Sequence, residues 1–175
     1  NPNKDFNAIT NIFRLCTMLT HEQRQDIKQA IDVMHQGGVI LYPTDTIWGL
    51  GCDATNPEAV AKVYAIKHRE DAKALISLVD SEAKVDFYVP DVPEVAWQLL
   101  ECATRPLTII YDNVRHLAPN LLAEDGSAAL RITQEEFSKE LCMRMKRAVV
   151  STSANISGEA APRCFADISP EILAA

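Results

Sequence analysis

Apolar positions recur along this chain in two rhythms. After Thr20, the residues Ile27, Ala30, Ile31 and Met34 keep the three- and four-residue spacing of a helix that buries one stripe. Thr20 with Gln23 predicts a capping box at its start, and Gly37-Gly38 its stop. "VILY" (39–42) and "IWGLG" (47–51) read as buried strands joined by the turn "PTDT" (43–46). Helical spacing returns at Val60, Val63 and Tyr64, under a cap from Thr55 or Asn56 with Pro57 in the first position. That stripe ends on a charge, Lys67. "LISLV" (75–79) predicts a strand. Asp91 with Glu94 predicts a helix start that turns Val92, Val95, Ala96, Leu99 and Cys102 inward. "LTIIY" (107–111) and "ALRI" (129–132) are strands with no clear helix between them. Phe137, Leu141 and Met145 mark a helix, and "AVV" (148–150) a last strand. Alternating strands and helices give an α/β class, and the 107–132 stretch makes the twisted sheet mixed rather than purely parallel.

The 175 residues fit a single domain, 1–175, with residues 1–19 an N-terminal segment that fits helix or strand equally. A net charge of −7 disfavours broad electrostatic binding to nucleic acid and leaves room only for a local basic cleft. The five cysteines are scattered, odd in number and never at C-x-x-C spacing, which suits reduced, buried thiols in a cytoplasmic protein. No apolar run reaches the length of about 18 residues that spans a membrane. The four histidines are isolated, so neither a zinc set nor a Ser-His-Asp arrangement is expected, and no protein metal ligand is assigned.

Candidate chemistry gathers in four places. No glycine-rich phosphate loop is present, so an anion would have to be held by side chains. Lys67, Arg69 and Lys73 in "KHREDAK" are the obvious cations. Lys67 at the end of an apolar stripe either snorkels to water, complements the helix C-terminus, or lines a cleft beside the core. Thr44 and Thr46 in "PTDT" either shape a turn, with Asp45 capping local backbone, or present hydroxyls at a strand end, where α/β proteins bind ligands. "STSAN" (151–155) supplies Ser151, Thr152, Ser153 and Asn155 at another strand end, more polar groups than a cap requires. Arg131, inside a strand, either faces solvent, pairs with Glu135, or faces the cleft to grip a carboxylate or phosphate. Trp48 reads as core. The set suits a polyanion plus a small polar molecule, with charge stabilisation at phosphate rather than proton abstraction.

"GGVILYPTDTIWGLGCDATNPEAVAKVYAIKHR", then Lys73, then "VVSTSANISGEAAP", resembles the YrdC/Sua5 family of threonylcarbamoyl-AMP synthases across residues 22–170. The pairing of K-x-R…K with a distant S-x-N is the specific part. The resemblance implies a YrdC-like fold with a concave groove, and condensation of L-threonine, bicarbonate and ATP into threonylcarbamoyl-AMP with release of pyrophosphate. It implies Mg²⁺ with the nucleotide, and tRNA or the proteins that transfer the threonylcarbamoyl group to tRNA as partners. It places Lys67, Arg69, Ser153 and Asn155 in the catalytic groove. Lys73, Ser151 and Arg163 would join them on the nucleotide, and Thr44, Thr46 and Arg131 would contact the substrate. Lys67 and Asn155 are expected on facing walls of one anion pocket. The chain departs from the family at Ala74, where proline is usual, and in the 104–146 segment. Two rival readings are a non-catalytic RNA-binding module of the same fold and a carbamoyl-phosphate-dependent carbamoyl transferase.

Overall fold

The computed structural model describes residues 19–68 and 75–175. Thr20 caps the first helix, α1 (His21–His35), as its spacing requires: the Gln23 amide donates to Thr20 Oγ1 at 3.1 Å, and the Thr20 amide to Gln23 Oε1 at 2.9 Å. Gly37 follows the helix at φ +73°, a conformation that costs a glycine little. Strands β1 (Ile40–Tyr42) and β2 (Gly49–Gly51) form the expected hairpin around "PTDT". Helix α2 (Pro57–Ile66) starts under Asn56, whose Oδ1 accepts from the Glu58 and Ala59 amides. Then come β3 (Ile76–Val79), α3 (Glu82–Tyr88), α4 (Glu94–Cys102), β4 (Ile109–Tyr111), β5 (Ala128–Ile132), α5 (Glu136–Met145), β6 (Val149–Ser153) and α6 (Pro170–Ala174).

The six strands make one sheet in the order β1-β2-β6-β3-β5-β4, in which only β3 and β5 run parallel. The sheet is therefore mixed, as the strand pair at 107–132 requires. One face packs on α1 and α5 through Ile27, Met34, Tyr42, Leu78, Leu141, Met145 and Val149. The other packs on α2, α3 and α4 through Val60, Val63, Val79, Tyr88, Ala96, Leu130 and Val150. Asp53 is buried among these; its carboxylate takes the Thr55 amide and hydroxyl and the Arg147 guanidinium at 2.8, 2.7 and 2.6 Å. That joins the approach to α2 to the start of β6.

One expected helix differs from what is observed, and one observed helix is not among those expected. Pro93, not Asp91, caps α4, and Val95, Leu99 and Cys102 are exposed; of the thiols expected to be buried, Cys52 and Cys142 are, while Cys102 and Cys164 are exposed. The helix instead turns Ala96 and Trp97 inward, with Val92 beside them. Apolar residues crowd both faces of this segment, and the indole has the larger surface to bury. Helix α3 has only seven residues and no side-chain cap, so the sequence gives little signal for it. Residues 1–18 lie outside the described residues, as do Arg69, Lys73 and Ala74.

Burial also sets a pH response. The Cys52 thiol, buried beside Asp53, is pushed up to about 12, first by desolvation and then by that charge. Desolvation likewise raises the buried Cys142 thiol and Tyr42 phenol. The folded chain keeps these protons where the unfolded chain releases them, from about pH 8.5 for a thiol. Their stabilising contribution is therefore complete below that pH and is lost as pH climbs toward 12. Each such thiol gives a slope of about 1.4 kcal/mol per pH unit. Thermal midpoints should hold between pH 7 and 8 and fall steeply above 9. A flat profile to pH 11 would contradict this burial.

Candidate functional site

The last strand leaves the sheet through Ser151, Thr152 and Ser153, and the chain then bends through Asn155 to Gly158, where φ is +90°. This segment and the C-terminal end of α2 enclose a cleft of about 460 Å³. Its lining is Lys67, Ile76, Ser151, Thr152, Ser153, Asn155, Ser157 and Gly158.

Lys67 is the C-cap of α2, and His68 after it turns left-handed at φ 50°, which ends the helix. The Val60–Val63 stripe therefore carries Lys67 inward, and the residue is only 2% exposed. It neither snorkels to water nor simply answers the helix dipole. Its ammonium donates to the carbonyls of Ser153 at 2.6 Å and Asn155 at 2.7 Å, with Ser153 Oγ at 3.5 Å. The Lys67 carbonyl accepts from the Ser157 amide at 3.1 Å. The expectation of facing walls is corrected: Lys67 and the hydroxyl-rich segment share one cleft, but as parts of a single wall. These two carbonyls orient the ammonium at the cleft wall. Among the described residues no carboxylate lines the cleft, and its lining of one ammonium and several hydroxyls is of the kind that holds an anion.

Asn155 offers the cleft something other than a donor. Both amide protons are engaged, with the carbonyls of Ile156 at 3.0 Å and Glu159 at 2.8 Å. That fixes the amide orientation, since the reverse would set oxygen against oxygen. Asn155 Oδ1 is buried without a hydrogen-bond partner, an acceptor awaiting a donor.

The "PTDT" turn sits beside this floor. Thr44 Oγ1 lies 2.6 Å from the Ile47 carbonyl and 3.3 Å from the Thr46 and Ile47 amides, so this hydroxyl staples the turn rather than standing open. Thr46 is exposed, its hydroxyl 3.2 Å from that of Thr44. A side chain at Gly49 would meet Thr44 Cγ2 at 3.3 Å and Ser151 Oγ at 3.5 Å, so Thr44 and Ser151 both border Gly49. Arg131 pairs with neither solvent nor Glu135. Its Nη1 lies 3.1 Å from Asp45 Oδ1, and its Nε donates to Thr108 Oγ1 at 2.9 Å. Glu135 instead caps α5 through the Phe137 and Ser138 amides. Arg163 stands apart from the cleft, exposed, with its guanidinium 3.9 Å from Asp167. Trp48 is half-buried on a small core with Leu50, Ala154 and Ile168 and meets Phe165 edge-on at 5.3 Å.

Sequence reasoning missed Ile76, Ser157 and Gly158 as lining residues, and Asp45 as the partner of Arg131. Ser157 and Gly158 follow "STSAN" after a single residue, Ile156, and that proximity could have found them. Among the described residues no cluster of three or more His, Cys, Asp or Glu could hold a metal, and no helix is long and apolar enough to cross a membrane.

Comparison with known proteins bears on the family and the fold. The Sua5/YciO/YrdC family model, described as "Telomere recombination", matches residues 32–174. A protein named threonylcarbamoyl-AMP synthase from Stutzerimonas stutzeri is 36% identical over 139 residues, 78% of this chain and 74% of that one. The crystal structure of P. abyssi Sua5 complexed with L-threonine superposes with a TM-score of 0.73 at 24% identity, covering 82% of this chain and 45% of that one. E. coli YciO superposes with a TM-score of 0.68 at 25% identity, covering 78% of this chain and 66% of that one.

Proposed function

The chain belongs to the Sua5/YciO/YrdC family, and on that premise we propose that it is a nucleotidyltransferase that makes threonylcarbamoyl-AMP from L-threonine, bicarbonate and ATP, for t6A modification of tRNA. The supporting observation is the cleft itself: a buried, oriented ammonium beside three hydroxyl side chains of one strand end, with no carboxylate among the described lining residues.

The threonine amine adds to bicarbonate, losing water, to give a carbamate. A carbamate oxygen attacks the α-phosphorus of ATP, and the bond to pyrophosphate breaks. Charge grows on the phosphate oxygens, beside Lys67, whose fixed position costs no reorganisation during the step. On the family resemblance, Arg69 and Lys73 would add cations for the nucleotide, whereas Arg163, apart from the cleft, would need the bound nucleotide to extend toward it. Ser151 and Ser153 donate to phosphate or carbamate oxygens. Asn155 Oδ1 accepts from a substrate N–H or O–H. Thr44, Thr46 and Arg131 bound the amino-acid end. Holding the carbamate in line with the α-phosphorus supplies much of the remaining acceleration.

The described residues do not fit a protein-held Mg²⁺, since no carboxylate lines the cleft. A divalent ion would arrive on the polyphosphate, as Mg²⁺ usually does. The product would pass to the proteins that modify tRNA, in the cytoplasm.

The test is pyrophosphate release from ATP by the purified chain. Release is expected only with L-threonine and bicarbonate together, with serine a poorer substrate. Turnover of carbamoyl phosphate and ATP without threonine would contradict the proposal. So would salt-dependent RNA binding with no turnover of any kind.

A further inference from the structure

The β1–β2 turn is tied to the far side of the sheet. β2 and β5 are separated by β6 and β3, three strand spacings or roughly 14 Å. Asp45, in the turn, nevertheless reaches Arg131 on β5, and the two side chains are only 7% and 13% exposed. Cross-strand register sets Arg131 beside Leu78, and Ile76 beside Ser151. Cross-strand neighbours share a face, so the turn crosses the face that carries the cleft residues Ile76 and Ser151. Thr108 holds the guanidinium from its other side.

A buried ion pair adds little net stability, because desolvation offsets its attraction. This pair also leaves Asp45 Oδ2 buried without a partner, which adds a cost. What it supplies is geometry. The turn is internally rigid through Thr44, Thr46 and Ile47, so fixing Asp45 fixes Thr44. We propose that Asp45 is a positioning residue: its ion pair holds the Thr44 turn over the cleft and aims the Arg131 guanidinium at the amino-acid end of the site. This rests on the threonine reading above.

The experiment compares Asp45→Asn, Arg131→Gln and the double variant with the wild type, each first checked by thermal melting. Steady-state kinetics are read against threonine and against ATP. Each single variant is expected to raise the threonine KM about tenfold and leave the ATP KM within about twofold. The double variant should be no worse than the poorer single one, because one tie can be cut only once. Multiplying effects, or an ATP KM that moves as far as that for threonine, would overturn the proposal. If the wild type shows no threonine-dependent turnover, the functional reading fails separately. Hydrogen exchange then decides: amides 44–47 exchanging about tenfold faster in Asp45→Asn support the tie, and unchanged rates overturn it.

Discussion

Lys67→Ala is expected to lower threonine-dependent pyrophosphate release by about 10²–10³ at saturating substrate, the usual loss for one preorganised charge-stabilising donor. The ammonium is held at the cleft wall by two carbonyls, at 2.6 and 2.7 Å, and little water reaches it. Its charge therefore acts at short range in a weakly screened place. The substitution also leaves the Ser153 and Asn155 carbonyls without this donor, at about 1–3 kcal/mol for each unsatisfied group. Lys67→Met separates the two losses, because it keeps most of the stem that packs on the helix stripe. Both variants should lose the same activity, while methionine melts closer to the wild type. Activity that survives in the methionine variant would remove Lys67 from the chemistry and leave it a structural cation.

The second large effect is on the fold. Gly51→Ala would set a methyl 2.5 Å from Tyr42 Cε1 and 2.8 Å from the Val150 carbonyl. Tyr42 has no room to retreat, since it is 1% exposed and its phenol donates to that same carbonyl at 3.1 Å. Three residues, one on each of the neighbouring strands β1, β2 and β6, would have to separate. The expected cost is about 3 kcal/mol, the upper end for overpacking. For a chain of this size it would lower the melting midpoint by roughly 6–12 °C. Tyr42→Phe in the alanine background removes the hydroxyl but not the clash, so it should not restore stability; Tyr42→Leu, which removes the ring, should recover part of it. A wild-type melt for Gly51→Ala would mean that the β1–β2–β6 packing is misdescribed.

These two effects differ in how far the sequence announces them. Val60, Val63 and the Asn56 cap place α2, and their spacing carries Lys67 onto the buried side. What the spacing leaves open is where a buried lysine ends, and only the partner segment 86 residues later decides it. Thr20 with Gln23, and Phe137 with Leu141 and Met145, place α1 and α5 because each carries a single apolar stripe. The α4 segment offers two stripes, and tertiary packing of Trp97 chooses between them. Arg131 shows the limit most directly. Glu135 is four residues away and looks like its partner, yet it is spent on a helix cap, while Asp45 comes from 86 residues upstream. Strand order makes that meeting possible, and no local pattern encodes it. The "STSAN" hydroxyls were legible as an excess over capping needs. That Asn155 presents an acceptor rather than a donor depends on the carbonyl of Glu159, a detail of loop geometry.

The central claim is that threonine and ATP meet at the wall made by Lys67 and residues 151–158. Amide NMR of the isotope-labelled chain, titrated with a non-hydrolysable ATP analogue and then L-threonine, tests it directly. The largest shifts should fall on Lys67 and residues 151–158, with threonine adding changes at Thr44 and Asp45. A second hollow of about 290 Å³, lined by Asp80, Arg105 and Lys139 among others, is the natural control. If the shifts gather there and the 151–158 amides stay still, the account is wrong.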